Sequence, residues 1–333
     1  MIKKIVTVIL TFIGALYQVT LGFIEYLKCP NPKILINAKC NKAKKVCIFA
    51  AYRSNLDPIL KLTLDELKRQ NFVIIYVSNK MVNEKFIKDI SKYANFFIQR
   101  GNYGRCIAAY KTGFLFLKSK NFLQADNLLF MNDTNIFPIG NTAKFWKEMN
   151  ESKADINGIY ESIQINYHVQ SYFLYCKNKV FLNTNFIKFW ENYLPLNSRF
   201  LLIRFGEIGF SRMALKAGLS LRSYVNFERL FYLNKNTEKL IPYNRYSRNT
   251  LFHSFSKNSN PSHTLALISL VYFDLPLVKS DLLSRKTFHM LQFRYALKKI
   301  NQISMYDILM DELSKKIKKE TLWNRIQDVA GMT

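Results

Sequence analysis

Short apolar runs alternate with helical patterns along residues 46–131. The runs are 46–51 (Val-Cys-Ile-Phe-Ala-Ala), 72–77 (Phe-Val-Ile-Ile-Tyr-Val), 95–98 (Asn-Phe-Phe-Ile) and 127–131 (Asn-Leu-Leu-Phe-Met), each of strand length. Between them, residues 58–69, 84–93 and 105–118 carry apolar side chains near helical spacing, as at Leu60, Leu64 and Leu67. Asp57 before Pro58 is a helix-start signal, because a carboxylate accepts from first-turn amides and proline sacrifices no hydrogen bond there. Strands alternating with helices require right-handed crossovers, so the pattern predicts an open α/β domain with a mainly parallel sheet covered on both faces. Ligands of such sheets bind beyond the carboxyl ends of the strands. The residues there are Tyr52 and Arg53, Ser78 and Asn79, Arg100, Gly101 and Asn102, and Asn132, Asp133 and Thr134, all following apolar runs.

After Pro138 the pattern loosens. It predicts a helix over 142–149, a strand containing Asp155, an aromatic strand over 171–175, a helix over 185–193 and another starting near Glu207 and running to Lys216. Beyond about residue 225 the chain turns more helical and basic, with a lysine-rich stretch at 315–319 and no internal repeat. Three parts are expected: a membrane-associating hydrophobic helix over 1–30, a ligand-binding domain over 45–225, and a mainly helical basic extension over 226–333.

The N-terminal part changes the picture first. Residues 5–24 carry no charge and meet the length of a membrane span, but Gln18, Tyr17, two glycines and three threonines lower the hydrophobicity and Glu25 follows, so an in-plane interfacial helix is the second reading. A buried first helix is the bland alternative. No small-residue cleavage site follows, which argues against a removed signal peptide. Lys28, Lys33, Lys39, Lys42, Lys44 and Lys45 outnumber Lys3 and Lys4, placing the main body on the cytoplasmic side. Over the whole chain, 49 Lys and Arg against 23 Asp and Glu give a net charge of +26, so an anionic partner is expected unless the basic surface is merely solvated. An anionic leaflet, a phosphate-bearing substrate and nucleic acid all satisfy that. Five cysteines without a CxxC pair argue against a disulfide framework or zinc knuckle, and Cys47 and Cys176 sit inside apolar runs as small core residues.

Several local patterns, in order, resemble the rhamnan synthesis protein F family over roughly residues 45–285. They are the strand end at Phe49 to Tyr52, Val77-Ser78-Asn79, Arg100-Gly101-Asn102-Tyr103-Gly104 with Tyr110-Lys111 and Gly113, and Asn132-Asp133-Thr134 with Pro138. Asp155 to Gly158, His168-Val169-Gln170-Ser171, Phe186 to Trp190, Glu207 to Ser211, Asn260 to His263 and Pro276 to Lys279 continue the series. The resemblance implies a bacterial polysaccharide glycosyltransferase with a GT-A-like nucleotide-binding domain, working at the cytoplasmic face of the inner membrane. It also implies a nucleotide-sugar donor, with dTDP-rhamnose as its suggestion, and a lipid-diphosphate-linked glycan acceptor beside an anionic membrane surface. One position departs: the family pattern has an acidic residue where this chain has Cys106. A thiol with an ordinary pKa of about 8.5 cannot stand in for a carboxylate at neutral pH.

The site residues follow from these motifs. Arg100, with the Gly101 to Gly104 backbone leading into a helix, offers charge and amides to a diphosphate; a glycine-containing turn with a surface arginine is the plain alternative. Tyr52, Asn79, Asn102, Gly104, Lys111, Asn132, His168 and Gln170 complete the substrate- and nucleotide-binding set. Asp133 stands where GT-A enzymes place a metal-binding carboxylate and is expected to ligate Mg²⁺ or Mn²⁺, although Asn-Asp-Thr is also good turn chemistry. An inverting transfer needs a carboxylate to take the acceptor's proton, and Glu207 and Asp155 are the two catalytic candidates, with helix capping the alternative for Glu207. Two other functions stay open. A catalytically inactive, membrane-bound assembly partner would explain Cys106 and the single Asp of Asn132-Asp133. A nucleic-acid-binding protein would explain the charge, but no RNP, KH, helix-turn-helix or zinc pattern supports it.

Overall fold

The computed structural model describes residues 31–39, 43–120, 122–236, 259–284 and 290–311, together with residues 14, 16, 17, 19–24 and 27. Residue contacts divide the chain into two compact units, one of residues 1–133 and 152–224 and the other of 134–151 and 225–333. The short segment 134–151 thus clusters with the C-terminal part, which the sequence pattern does not signal.

The first unit is built on a mixed sheet. Its strands are β1 (Lys33–Asn37), β2 (Lys45–Ala51), β3 (Phe72–Ser78), β4 (Phe96–Gln99) and β5 (Asn127–Asn132), followed, after β6 (Asn135–Ile136) of the second unit, by β7 (Ile156–Ser162), β8 (His168–Val169), β9 (Phe173–Lys177) and β10 (Leu221–Val225). They lie in the order β1-β4-β3-β2-β5-β9-β7-β10, with β8 beside β7. The pairs β3-β4, β2-β3 and β2-β5 are parallel, as the alternating pattern requires. Antiparallel pairs flank this core: β1 with β4 on one side, and β5 with β9 and β9 with β7 on the other. The sequence reading has no β1 and treats the Asp155 and aromatic strands without a direction.

The crossovers are α1 (Pro58–Arg69), α2 (Glu84–Ile90) and α3 (Arg105–Ser119). Asp57 caps α1 as expected, its Oδ1 accepting from Leu60 N at 2.9 Å. Both faces of the parallel core are covered, which is why its strands read as continuous apolar runs. On one face Ile48, Ala50, Ile75, Val77, Phe96 and Phe130 join the core under α3, with Phe130 stacked on Trp190 at 5.2 Å. On the other, Phe49, Tyr76 and Phe97 pack together. Gly113 permits the close approach of α3, since a Cβ there would meet Ile48 Cγ2 at 2.4 Å. Cys47 and Cys176 are fully buried, and burial pushes both thiols well up, so they are inert core residues.

In the second unit, β6 pairs antiparallel with β11 (Val278–Lys279), and Phe137, Phe145 and Trp146 cluster in its core. Its other described elements are mostly helical, including Phe227–Asn236, Ala266–Tyr272 and Met290–Lys299. The lysine-rich stretch 315–319 lies outside the described residues.

Among the described residues no helix is long and apolar enough to cross a membrane. Most of the expected N-terminal segment, including residues 1–13, lies outside them; residues 19–24 are helical. There Gly22 is buried and its carbonyl accepts from the Tyr103 hydroxyl, while Leu16, Tyr17, Leu21, Phe23, Ile24 and Leu27 are exposed.

Candidate functional site

All four parallel strands end at one edge, and main-chain hydrogen bonds continue past their ends. Arg100 N donates to Ser78 O at 2.9 Å, Asn79 N to Ala51 O at 2.8 Å and Asp133 N to Ala50 O at 3.0 Å. Arg100, Asn79, Tyr52 and Asp133 therefore stand in one row. The centre of the row is Arg53. Its Nη1 donates to Asp57 Oδ2, its Nη2 donates to Asp133 O at 3.1 Å, and its Nε lies 3.3 Å from Asp133 Oδ2. The same Asp133 oxygen accepts from Tyr52 N at 2.8 Å. Burial alone would lower the Arg53 pKa, but the Asp57 and Asp133 carboxylates outweigh it and hold the guanidinium firmly charged. Asp133 is pushed up by burial, a shift that Arg53 and the Tyr52 amide only partly oppose. Tyr52 is 54% exposed, and Lys80 Nζ lies 5.5 Å from the centre of its ring and 3.1 Å from Ser54 Oγ. The edge thus presents an aromatic ring and two cations.

A second carboxylate reaches this edge through the antiparallel side of the sheet. Asn132 N donates to Tyr172 O at 3.3 Å, and the preceding Ser171 donates through Oγ at 2.6 Å and through N at 3.2 Å to Glu207 Oε1. Glu207 closes a π-helical turn, Leu202–Glu207, that runs directly into the helix Ile208–Lys216. Its backbone is helical and its side chain makes no capping bond, which removes the capping alternative. π-Turns inside helices are common where a side chain must be aimed at a function. His168, nearly buried, places Nδ1 2.8 Å from Asn166 O and so donates from that nitrogen, leaving Nε2 3.7 Å from Glu207 Oε2. Gln170, also buried, follows in the same segment. Cys106 lies half-buried in the first turn of α3, packed against the core.

Other expected residues are committed elsewhere. Arg100 is buried, donating to Asn79 Oδ1 at 2.7 Å and to Tyr103 O at 2.6 Å, so it braces the turn after β4. Three interstrand steps, about 14 Å at the usual spacing, separate the backbones of β4 and β5, and the Arg100 guanidinium is spent on Asn79 and Tyr103. Lys111 Nζ donates to Glu191 O and Tyr193 O, each at 2.8 Å, closing the end of the helix Thr184–Asn192. Arg100 and Lys111 line instead a cavity of about 480 Å³ with Ile34, Ile98 and Pro195. The Gly104 amide is taken by Asn197 Oδ1 at 2.9 Å, and Asn102 lies exposed in the turn before α3. Gly104 has φ +72°, and a Cβ would strike Ala108 and Pro195 at 2.6 Å. The expected diphosphate cradle is therefore a packed turn.

Asp155 is on the wrong edge. Its carbonyl accepts from Lys177 N, and Lys177 pairs with Asn127, the first residue of β5, whereas Asp133 follows the last. Six residues of extended chain separate the two levels by about 20 Å. There Asp155 bonds Ser220 N and Oγ at 2.9 and 2.8 Å and Lys179 Nζ at 2.7 Å. It holds the structure and cannot share a reaction centre with Asp133.

A resident divalent ion does not fit the edge. Among the described residues no three His, Cys, Asp or Glu side chains converge as ligands. The one expected ligand, Asp133, already faces a guanidinium, and each unit of like charge brought within about 4 Å costs roughly 4 kcal/mol at an effective dielectric of about 20. Sequence reasoning places Arg53 among the strand-end residues without giving it a particular role, and does not single out Lys80. The available signal is Arg53 four residues before a capping Asp57, a pairing that becomes meaningful only when Asp133 joins it.

An exposed aromatic, two cations and two separate carboxylate centres make this edge the candidate ligand site of an α/β protein. The chain belongs to the rhamnan synthesis protein F family, whose model matches residues 74–245. It is 27% identical over 247 residues to an uncharacterized protein, y4gN, of Sinorhizobium fredii, covering 68% of this chain and 64% of that protein. The chain thus spans less than two thirds of that relative. Among solved structures, it is similar to 4-diphosphocytidyl-2C-methyl-D-erythritol synthase from Anaerococcus prevotii, at 16% identity and a TM-score of 0.35 over 55% of this chain and 89% of that one. A second is the glycosyltransferase GlyE of Streptococcus pneumoniae, at 11% identity and a TM-score of 0.31 over 83% and 64%. Both scores are too low to bear on function.

Proposed function

We propose that the protein is a polysaccharide glycosyltransferase, moving a sugar from a nucleotide sugar to a glycan acceptor with inversion at the anomeric carbon. The observation that carries this reading is the hydrogen-bonded bridge from Asp133 through Asn132, Tyr172 and Ser171 to Glu207, which joins a donor-binding edge to a carboxylate fit to act as base. The donor's base lies against Tyr52 and its diphosphate against Arg53 and Lys80. Glu207 takes the proton of the acceptor hydroxyl, the hydroxyl oxygen bonds to the anomeric carbon, and the bond from that carbon to the diphosphate breaks. The nucleoside diphosphate leaves with the electron pair. Ser171 aims the carboxylate, and His168 Nε2 stands 3.7 Å from its other oxygen.

At finer grain, the family description, rhamnan synthesis, supports a rhamnose-type hexosyl donor, and the acceptor in this reading is a glycan carried on a lipid diphosphate. The net charge of +26 and the exposed apolar side chains of residues 16–27 support work at an anionic membrane surface, the cytoplasmic face of the bacterial inner membrane. The test is consumption of a panel of nucleotide sugars, including dTDP-rhamnose, by the purified protein with and without a lipid-diphosphate-linked glycan. Transfer that depends on the lipid-linked acceptor is expected. Absence of consumption of any donor would leave the protein as a non-catalytic member of its family, the role Cys106 also suggests.

A further inference from the structure

We infer that Arg53 is the built-in cation of the donor site, so that the site binds a nucleoside diphosphate without a divalent metal. The inference deepens the reading above and rests on it. A guanidinium has five N–H donors, of which three face Asp57, Asp133 O and Asp133 Oδ2. One N–H on each terminal nitrogen remains among the described contacts, and the side chain keeps 17% of its surface open at the strand edge. Two N–H groups on neighbouring nitrogens match two phosphate oxygens.

The two carboxylates are fixed around the guanidinium. Asp57 cannot swing toward an ion, because its other oxygen caps α1 at Leu60 N. Asp133 is held by Tyr52 N as well as by Arg53. The Tyr76 hydroxyl is fully buried, has no hydrogen-bond partner among the described residues, and lies in the field of Asp133, Arg53 and Asp57. Lys80, tethered to Ser54 at the same rim, balances the formal charge of the group, so an incoming diphosphate meets no net negative charge. A divalent ion would have only Asp133 Oδ1 to bind and would sit beside the guanidinium, whereas a diphosphate needs only the two donors that remain.

The experiment is calorimetric titration of the full-length protein with UDP and with dTDP, in excess EDTA and in saturating Mn²⁺. Binding in EDTA within about threefold of that in Mn²⁺ is expected, a difference smaller than one charge-assisted hydrogen bond contributes. Arg53→Lys keeps the charge but not the fork and should weaken binding about tenfold or more in EDTA. Lys80→Gln, on the surface and outside the carboxylate pair, should weaken it without lowering the melting temperature, which covers the case in which the Arg53 variant folds poorly. Binding that appears only with Mn²⁺ and is unchanged by Arg53→Lys and Lys80→Gln would overturn the inference while leaving the glycosyltransferase reading intact. If neither nucleotide binds under either condition, the donor site itself is wrong and both fall.

Discussion

Ser171 Oγ donates a 2.6 Å hydrogen bond to Glu207 Oε1, and this contact brings the only carboxylate of the π-helical turn to the strand edge that carries Asp133. Ser171 comes just before β9, whose first residue, Phe173, pairs with Met131 of β5. The reversed strand, not the parallel core, therefore delivers the base. A serine there also leaves Glu207 its second oxygen for a substrate proton.

Glu207→Gln keeps the shape of the side chain and loses its capacity to accept a proton. Turnover should fall by roughly 10² to 10⁴ while nucleotide affinity, measured by titration, stays within about twofold. Unchanged turnover would remove Glu207 from the reaction.

Asp155→Asn should act on stability alone. Burial pushes the Asp155 pKa up, but the Lys179 and Ser220 contacts outweigh it and the folded value lies below the ordinary one. A carboxylate depressed in the fold adds stability above its unfolded pKa, about 3.9, and that stability is lost as pH falls through the folded value. The substitution should cost about 1–3 kcal/mol at neutral pH, mostly from the Ser220 bonds because Lys179 is largely exposed, and should flatten the acid limb of a denaturation curve. Loss of turnover in the folded variant would return Asp155 to the reaction centre.

Arg100→Met removes two donors from a buried brace and leaves Asn79 Oδ1 and Tyr103 O without them. Destabilisation of about 2–4 kcal/mol is expected by chemical denaturation, with nucleotide affinity below the transition changed less than about threefold. A large affinity loss in a stable protein would place Arg100 back on the diphosphate.

The alternation of apolar runs and helical patterns was sufficient for the parallel core, for its carboxyl edge and for the capping role of Asp57, because each depends on spacing along a few residues. Tyr52, Asn79 and Asp133 were legible as edge residues for the same reason. Periodicity carries no strand direction, so Asp155 could not be seen to fall about 20 Å from Asp133 until the antiparallel pairing of β9 and β7 was known. Nor does a local motif show which donors are already used. Arg100, Lys111 and the Gly104 amide are taken by Tyr103, Tyr193 and Asn197, and one of these partners lies 93 residues away in the chain. Arg53 gains its place only where Asp57 and Asp133 close on it across 80 residues, since the partners of a buried charge are chosen by tertiary packing and not by neighbours in sequence.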